Sequence, residues 1–124
     1  MPFACPSCGG NAMEITFSLE LPPDDSDDEI TLQTLKCPGC VFQGAAVYRE
    51  SRRGSFHSES WHHEGYPISD DGLEQLHTAL MLCPAPADRQ CRCGTHTQFS
   101  QRNWVNPQLP GLDGERRFNM QLVR

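Results

Sequence analysis

Hydrophobic and polar residues alternate from Ile15, with Ile15, Phe17, Leu19 and Leu21 on one side and Thr16, Ser18 and Glu20 on the other. This is the two-residue period of a half-buried strand. Leu21-Pro22-Pro23-Asp24-Asp25-Ser26-Asp27-Asp28 must end it, because proline removes backbone donors and clustered carboxylates repel one another and favour water. A hairpin tip is expected there, with residues 30–36 returning as a second strand. Residues 43–50 alternate Ala45 and Val47 with Ala46 and Tyr48 as a third strand; Ser51-Arg52-Arg53-Gly54 reads as a turn and residues 55–61 as a fourth strand. The period then changes. Leu73, Leu76, His77 and Leu80 follow Ser69-Asp70-Asp71 at helical spacing, and Asp71 and Glu74 stand three apart in the manner of a capping box, which predicts one helix over residues 70–82. Phe118, Met120 and Leu122 alternate again and predict a last strand docking on the sheet. The expected fold is small α+β: antiparallel β-hairpins with one helix.

A chain of 124 residues fits one compact core, yet only 37% of it is hydrophobic and it carries 10 Gly and 10 Pro. Burial alone looks thin for such a chain, so an additional cross-link is expected. Seven cysteines are the candidates. Met1-Pro2-Phe3-Ala4-Cys5 has no basic segment followed by an apolar one, no run approaches the roughly 20 apolar residues of a membrane span, and an odd cysteine count in close pairs suits metal better than disulfides. The expectation is a reducing cytoplasm and no membrane partner. Net charge is −6, with Asp24, Asp25, Asp27, Asp28 and Glu29 supplying five of the sixteen acids and leaving eleven against ten bases elsewhere. Such a balance gives no general attraction for nucleic acid.

Two Cys-x-x-Cys units, Cys5-Pro6-Ser7-Cys8-Gly9 and Cys37-Pro38-Gly39-Cys40, each carry Pro directly after the first cysteine and a glycine close by. In such a turn both sulfurs point at one ion, and the glycines accept backbone angles that free inner amides to donate to thiolates. Over residues 3–50 the chain resembles the zinc-ribbon superfamily on these motifs, with strand-like residues between and after them; Val41 stands where the second knuckle often has glycine. The resemblance implies a four-cysteine zinc ribbon over residues 1–50 held by Cys5, Cys8, Cys37 and Cys40, and leaves function open. Residues 51–124 are then expected to supply a hairpin, the helix and a second metal-binding region, packed with the ribbon as one unit.

Cys83, Cys91, Cys93 and His96 have the composition of a zinc knot of three cysteines and one histidine. Cys83 falls three positions after Leu80, so an extended helix would direct it inward, and Cys93-Gly94-Thr95-His96 restores a two-residue spacing. The competing readings are a buried helix-end thiol, a pair of surface thiols at Cys91 and Cys93, and His77 in place of His96. His77 falls on the apolar side of the helix, where a satisfied core histidine is the simpler reading, so His96 is the expected ligand. Two Zn²⁺ per chain follow.

Three further patterns bear on function. His57-Ser58-Glu59 resembles half of a zinc-deaminase motif, but no Pro-Cys-x-x-Cys follows it. His57, His62, His63 and Glu64 have the ligand types of an open hydrolytic metal site, against the plainer reading of an exposed strand and turn. Arg49, Arg52 and Arg53 with Tyr48, Phe56 and Trp61 are the one basic and aromatic interleaving, able to hold phosphate and stack a base, although Glu50, Glu59 and Glu64 dilute its field. No catalytic set converges. The sequence therefore points to a zinc-binding, non-catalytic interaction module that offers residues 44–68 to a protein partner; nucleic-acid binding through Arg49, Arg52, Arg53 and Trp61 is the alternative, and a zinc hydrolase a third.

Overall fold

The computed structural model describes residues 3–21, 29–51, 60–95 and 114–121. Five strands, β1 (Glu14–Leu21), β2 (Glu29–Lys36), β3 (Gln43–Ser51), β4 (Ser60–Pro67) and β5 (Phe118–Asn119), form one antiparallel sheet in the order β1-β2-β3-β4-β5, and one helix, α1 (Asp70–Met81), follows β4. The small α+β architecture is thus present, and no helix among the described residues is long and apolar enough to cross a membrane.

The two faces of the sheet bury separate apolar clusters. One face packs Leu19, Leu21, Ile30, Leu32 and Ala45 against Leu76 and Leu80 of α1 and against Cys83. The other packs Leu35 and Ala46 against Phe3, Cys5, Met13, Cys37 and Met120. Each cysteine cluster therefore abuts its own core. The N-terminal segment is held to the second face from two sides, since Phe3 and Met13 exchange backbone hydrogen bonds and the Ala4 amide donates to the Gln121 carbonyl at 2.9 Å.

Alternation in β1 is interrupted. Ile15 pairs with Leu35, but Phe17 pairs with Thr34, so Thr16 is the extra residue of a β-bulge. Because side chains have period two along a strand, one inserted residue sends Ile15 to the Leu35 face while Phe17, Leu19 and Leu21 stay on the helix face. The single apolar side expected for Ile15 through Leu21 is in fact divided between two cores. The Thr16 hydroxyl meets that of Thr34 at 2.7 Å, which fixes the bulge.

The fourth strand lies further along the chain than expected. It runs over Ser60–Pro67, pairing Ser60 with Ser51 and Pro67 with Gly44, while residues 52–59 lie outside the described residues. No hydrophobic alternation announces β4, because the half-buried His63 and the buried Gly65 stand on one face while the buried Tyr66 stands on the other next to the half-buried Glu64. Gly65 is required by space: a Cβ there would run into the Phe118 ring.

Helix α1 starts at Asp70 with Ser69 as its N-cap, whose hydroxyl accepts from the Gly72 amide at 3.1 Å. Position N3 is accordingly Gly72, so the expected pairing of Asp71 with Glu74 does not form a capping box; Asp70 and Asp71 instead sit in the first turn, where carboxylates complement the helix dipole. The buried stripe is Gly72, Leu76 and Leu80. His77 lies one residue round from Leu76 and is exposed, which overturns its reading as a core histidine.

Candidate metal centres

The two Cys-x-x-Cys turns are built alike. In the first, the Gly9 amide donates to the Cys5 carbonyl at 3.0 Å, the Cys5 amide to the Gly10 carbonyl at 2.8 Å, and the Gly10 amide to the Cys8 sulfur at 3.4 Å. Gly9 has φ 73°, a left-handed conformation that closes the turn and that a side chain would strain. In the second, the Cys40 amide donates to the Cys37 carbonyl at 3.4 Å, the Cys37 amide to the Phe42 carbonyl at 3.0 Å, and the Phe42 amide to the Cys40 sulfur at 3.4 Å. Each closing sulfur thus receives an amide from two residues on, as thiolates require. Pairing of β1 with β2 brings the two turns together at one end of the hairpin.

All four sulfurs lie within 4.8 Å of one another. Across the turns, Cys5 and Cys40 Sγ are 3.7 Å apart and Cys8 and Cys37 Sγ 3.8 Å. A tetrahedron with metal–sulfur bonds of about 2.3 Å has edges of about 3.8 Å, so the donor set fits a four-coordinate ion. All seven cysteines are free thiols, and the disulfide reading has no support.

Burial raises Cys5, but amides of Cys8 and Ser7 and the Cys40 and Cys37 thiols donating to its sulfur outweigh that and bring it down to about 7. At Cys40 the Phe42 amide favours the thiolate, yet burial and the Cys37, Cys5 and Cys8 sulfurs prevail and push it up to about 12. Cys5 thus gives up its proton more readily than an ordinary thiol and Cys40 less readily, because hydrogen bonds favour the one thiolate and neighbouring sulfurs oppose the other.

Cys83, Cys91 and Cys93 form a second group, with sulfurs also within 4.8 Å of one another and Cys83 and Cys91 Sγ 4.0 Å apart. Cys83 follows the C-cap Leu82 and its amide donates to the Leu80 carbonyl at 3.2 Å, which keeps it under the helix; burial pushes its thiol up to about 11, with the Ala85 amide opposing and the neighbouring sulfurs adding to the rise. Asp88 turns the chain back, its carbonyl accepting from the Cys91 amide at 3.1 Å and its carboxylate from the Gln90 amide at 2.9 Å. Three soft donors can hold a metal ion but do not close a tetrahedron. His96 lies outside the described residues; its neighbour Thr95 is anchored by a hydroxyl donating to the Ala79 carbonyl at 2.5 Å. His77 is not among the residues brought together.

Among the described residues the other sequence candidates do not converge. His63 and Glu64 are consecutive in β4 and face opposite sides: His63 Nε2 meets Gln33 Oε1 at 2.6 Å, whereas Glu64 accepts from the Tyr66 hydroxyl at 3.1 Å and faces Arg117. Burial takes His63 down to about 4, so it is neutral near pH 7. A hydrolytic site using both side chains is thereby contradicted; His57 and Glu59 lie outside the described residues. Arg49 is exposed and its position pairs with His62, while that of Trp61 pairs with Glu50, which puts Arg49 and Trp61 at positions on alternate faces. Arg52, Arg53 and Phe56 lie outside the described residues.

One contributor had no sequence signal. Arg89, between the first two cysteines of the three-sulfur group, donates to the carbonyls of Leu21 at 3.2 Å and Ile30 at 3.1 Å and pairs with Glu20, while the Pro86 carbonyl accepts from the Glu20 amide at 2.8 Å. The cysteine loop is thus sewn to the outer edge of β1. Comparison with protein-family models, curated proteins and solved structures finds no match to this chain.

Proposed function

We propose that this chain is a zinc-stapled, non-catalytic interaction module. The reading rests on one observation: four sulfurs from two like turns stand at the edge lengths of a tetrahedral thiolate site. A bound Zn²⁺ would offset half the charge of the four thiolates and cross-link the two turns. Residues 1–50 would then act as a zinc ribbon, with Cys5, Cys8, Cys37 and Cys40 as its ligands. Cys83, Cys91 and Cys93 would hold a second zinc with His96 as fourth ligand, joining residues 51–124 to the same sheet. Both sites touch a hydrophobic core, which supports scaffolding over turnover. The partner is a protein, met through side chains such as the 97% exposed Val41 of the second turn and the exposed Met81 and Leu82 at the end of α1. The cytoplasm, where thiols stay reduced, is the compartment that suits seven free cysteines.

The test is native mass spectrometry of the untreated chain, with two Zn²⁺ expected, and far-UV circular dichroism after exhaustive chelation, with loss of the folded signal expected. An undiminished thermal transition after verified metal removal refutes the structural role. The nucleic-acid reading has less support, because Arg49 and Trp61 stand at positions that do not share a face.

A further inference from the structure

Beyond its buried stripe of Gly72, Leu76 and Leu80, α1 carries a second stripe on the side turned to water. Asp70, Leu73, Glu74, His77 and Met81 each have a neighbour three or four positions along the helix, and with Leu82 they line an open groove of about 510 Å³. Its apolar surface comes from Met81 and Leu82, which are 76% and 74% exposed, and from the half-buried Leu73, which also leans on the core beneath α1. Lone apolar side chains are ordinary on a protein surface. Here, however, two of the three large ones exposed among the described residues stand side by side in one groove, as a contact site requires.

The other end of the groove is acidic. Asp70 and Glu74 line it and Asp71 adds a third carboxylate in the first turn, while α1 contains no lysine or arginine. Asp70 accepts from the Gln43 side-chain amide at 2.6 Å, a neutral partner, and no ion pair reaches Asp71 or Glu74 among the described residues. The groove is thus negative towards the start of α1 and apolar towards its end. This polarity selects among occupants. An anionic bilayer or a nucleic acid is repelled, and a second copy of α1 brings no cation to the carboxylates. A cationic amphipathic helix suits both ends, because its apolar positions recur at the same steps of three and four and its bases answer the acids.

We propose that this groove receives an amphipathic helix of a partner protein, its apolar side chains lying on Leu73, Met81 and Leu82 and its lysines or arginines, in its last turns, facing Asp70 and Glu74. The two helices then run antiparallel, which places the basic C-terminal end of the partner beside the acidic N-terminal end of α1 and opposes their dipoles. The proposal rests on the reading of this chain as an interaction module and gives the partner its chemical class.

The test is an NMR titration of the full chain as purified with a capped leucine and alanine helix of about 18 residues whose lysines are confined to its last two turns. Saturable shifts centred on residues 70–82 are expected, with a Kd of about 100 μM or below. A peptide of the same composition with its lysines in the first two turns is expected to bind at least about fivefold more weakly, a preference that about 0.5 M salt removes. Met81→Ser, and the double change Asp70→Asn with Glu74→Gln, are each expected to weaken the first peptide about fivefold or more. All three positions are exposed, and a retained cooperative melt verifies the fold; Leu82→Ser provides the same reading should Met81→Ser lose it. Equal binding of the two peptides, binding that ignores these variants, or a dimer in native mass spectrometry that Met81→Ser dissolves overturns the proposal. Zinc is counted on the same sample. Two Zn²⁺ without a saturable shift discards this partner and leaves the zinc reading standing, whereas saturable binding by a chain that holds no zinc supports the partner and discards the zinc reading.

Discussion

Replacing Cys8 by serine separates a metal cross-link from ordinary packing. Cys8 is exposed, whereas its partners Cys5 and Cys37 are 3% and 0% exposed within the second core. Were the four thiols merely packed side chains, Cys8→Ser would be a surface change within about 0.5 kcal/mol of neutral, and Cys37→Ser would be the costly one. With a shared ion both variants remove one of four ligands, and both forfeit much of an apparent metal-binding free energy on the order of 10 kcal/mol or more. That loss rivals the whole net stability of a chain this size, about 5–15 kcal/mol. The expected outcome is that Cys8→Ser and Cys37→Ser are almost equally damaging despite their opposite burial. Thermal unfolding followed by circular dichroism, with zinc content measured alongside, provides the assay. One kcal/mol moves Tm by about 4 °C at this length, so even partial loss of the site exceeds about 10 °C or abolishes the transition. A Cys8→Ser protein that melts within about 2 °C of the wild type, beside a strongly destabilised Cys37→Ser, would refute the reasoning.

Three further outcomes follow from the packing and the protonation states. Leu80→Ala, at a position 1% exposed between α1 and the sheet, should cost about 2–5 kcal/mol in urea unfolding without altering the zinc content of the Cys5 cluster, which lies in the other core. Gly65→Ala should cost about 1–3 kcal/mol by forcing Phe118 off β4, and adding Phe118→Ala should cost less than the sum of the two single changes. His63 has a folded pKa near 4 against an ordinary value of 6.5, so between those limits the unfolded chain binds the additional proton. Stability should then be fully present above pH 6.5 and decline as pH falls towards 4; a His63→Asn variant whose stability relative to the wild type does not change across this window would show that the ring is not held neutral.

The parts legible in the sequence are those set by short-range chemistry. A Cys-x-x-Cys turn carries its own closing amides within about five residues, so the four-cysteine cluster was readable before any strand was placed. The β1–β2 hairpin and α1 were likewise legible because their apolar positions repeat with the period of the element that buries them. Where the repeat was broken, the reading failed. The Thr16 bulge moved Ile15 to the other core, and β4 places a histidine and a glycine, His63 and Gly65, at successive positions of one face where apolar residues would have marked a strand. A helical wheel with Leu73 inside placed His77 inward, but packing rotated the stripe to Gly72, Leu76 and Leu80.

By itself, then, the sequence determined which cysteines gather into clusters that could hold metal, and where the first three strands and the helix lie. The tertiary structure alone decided that the two cysteine groups back opposite faces of one sheet, that Arg89 ties the second group to β1, and that Gln33 and His63 meet. The physical reason is range. Turn closure and period depend on neighbours a few residues away, whereas strand register couples residues as far apart as Glu64 and Asn119, and a one-residue slip in it reverses which face every later side chain occupies.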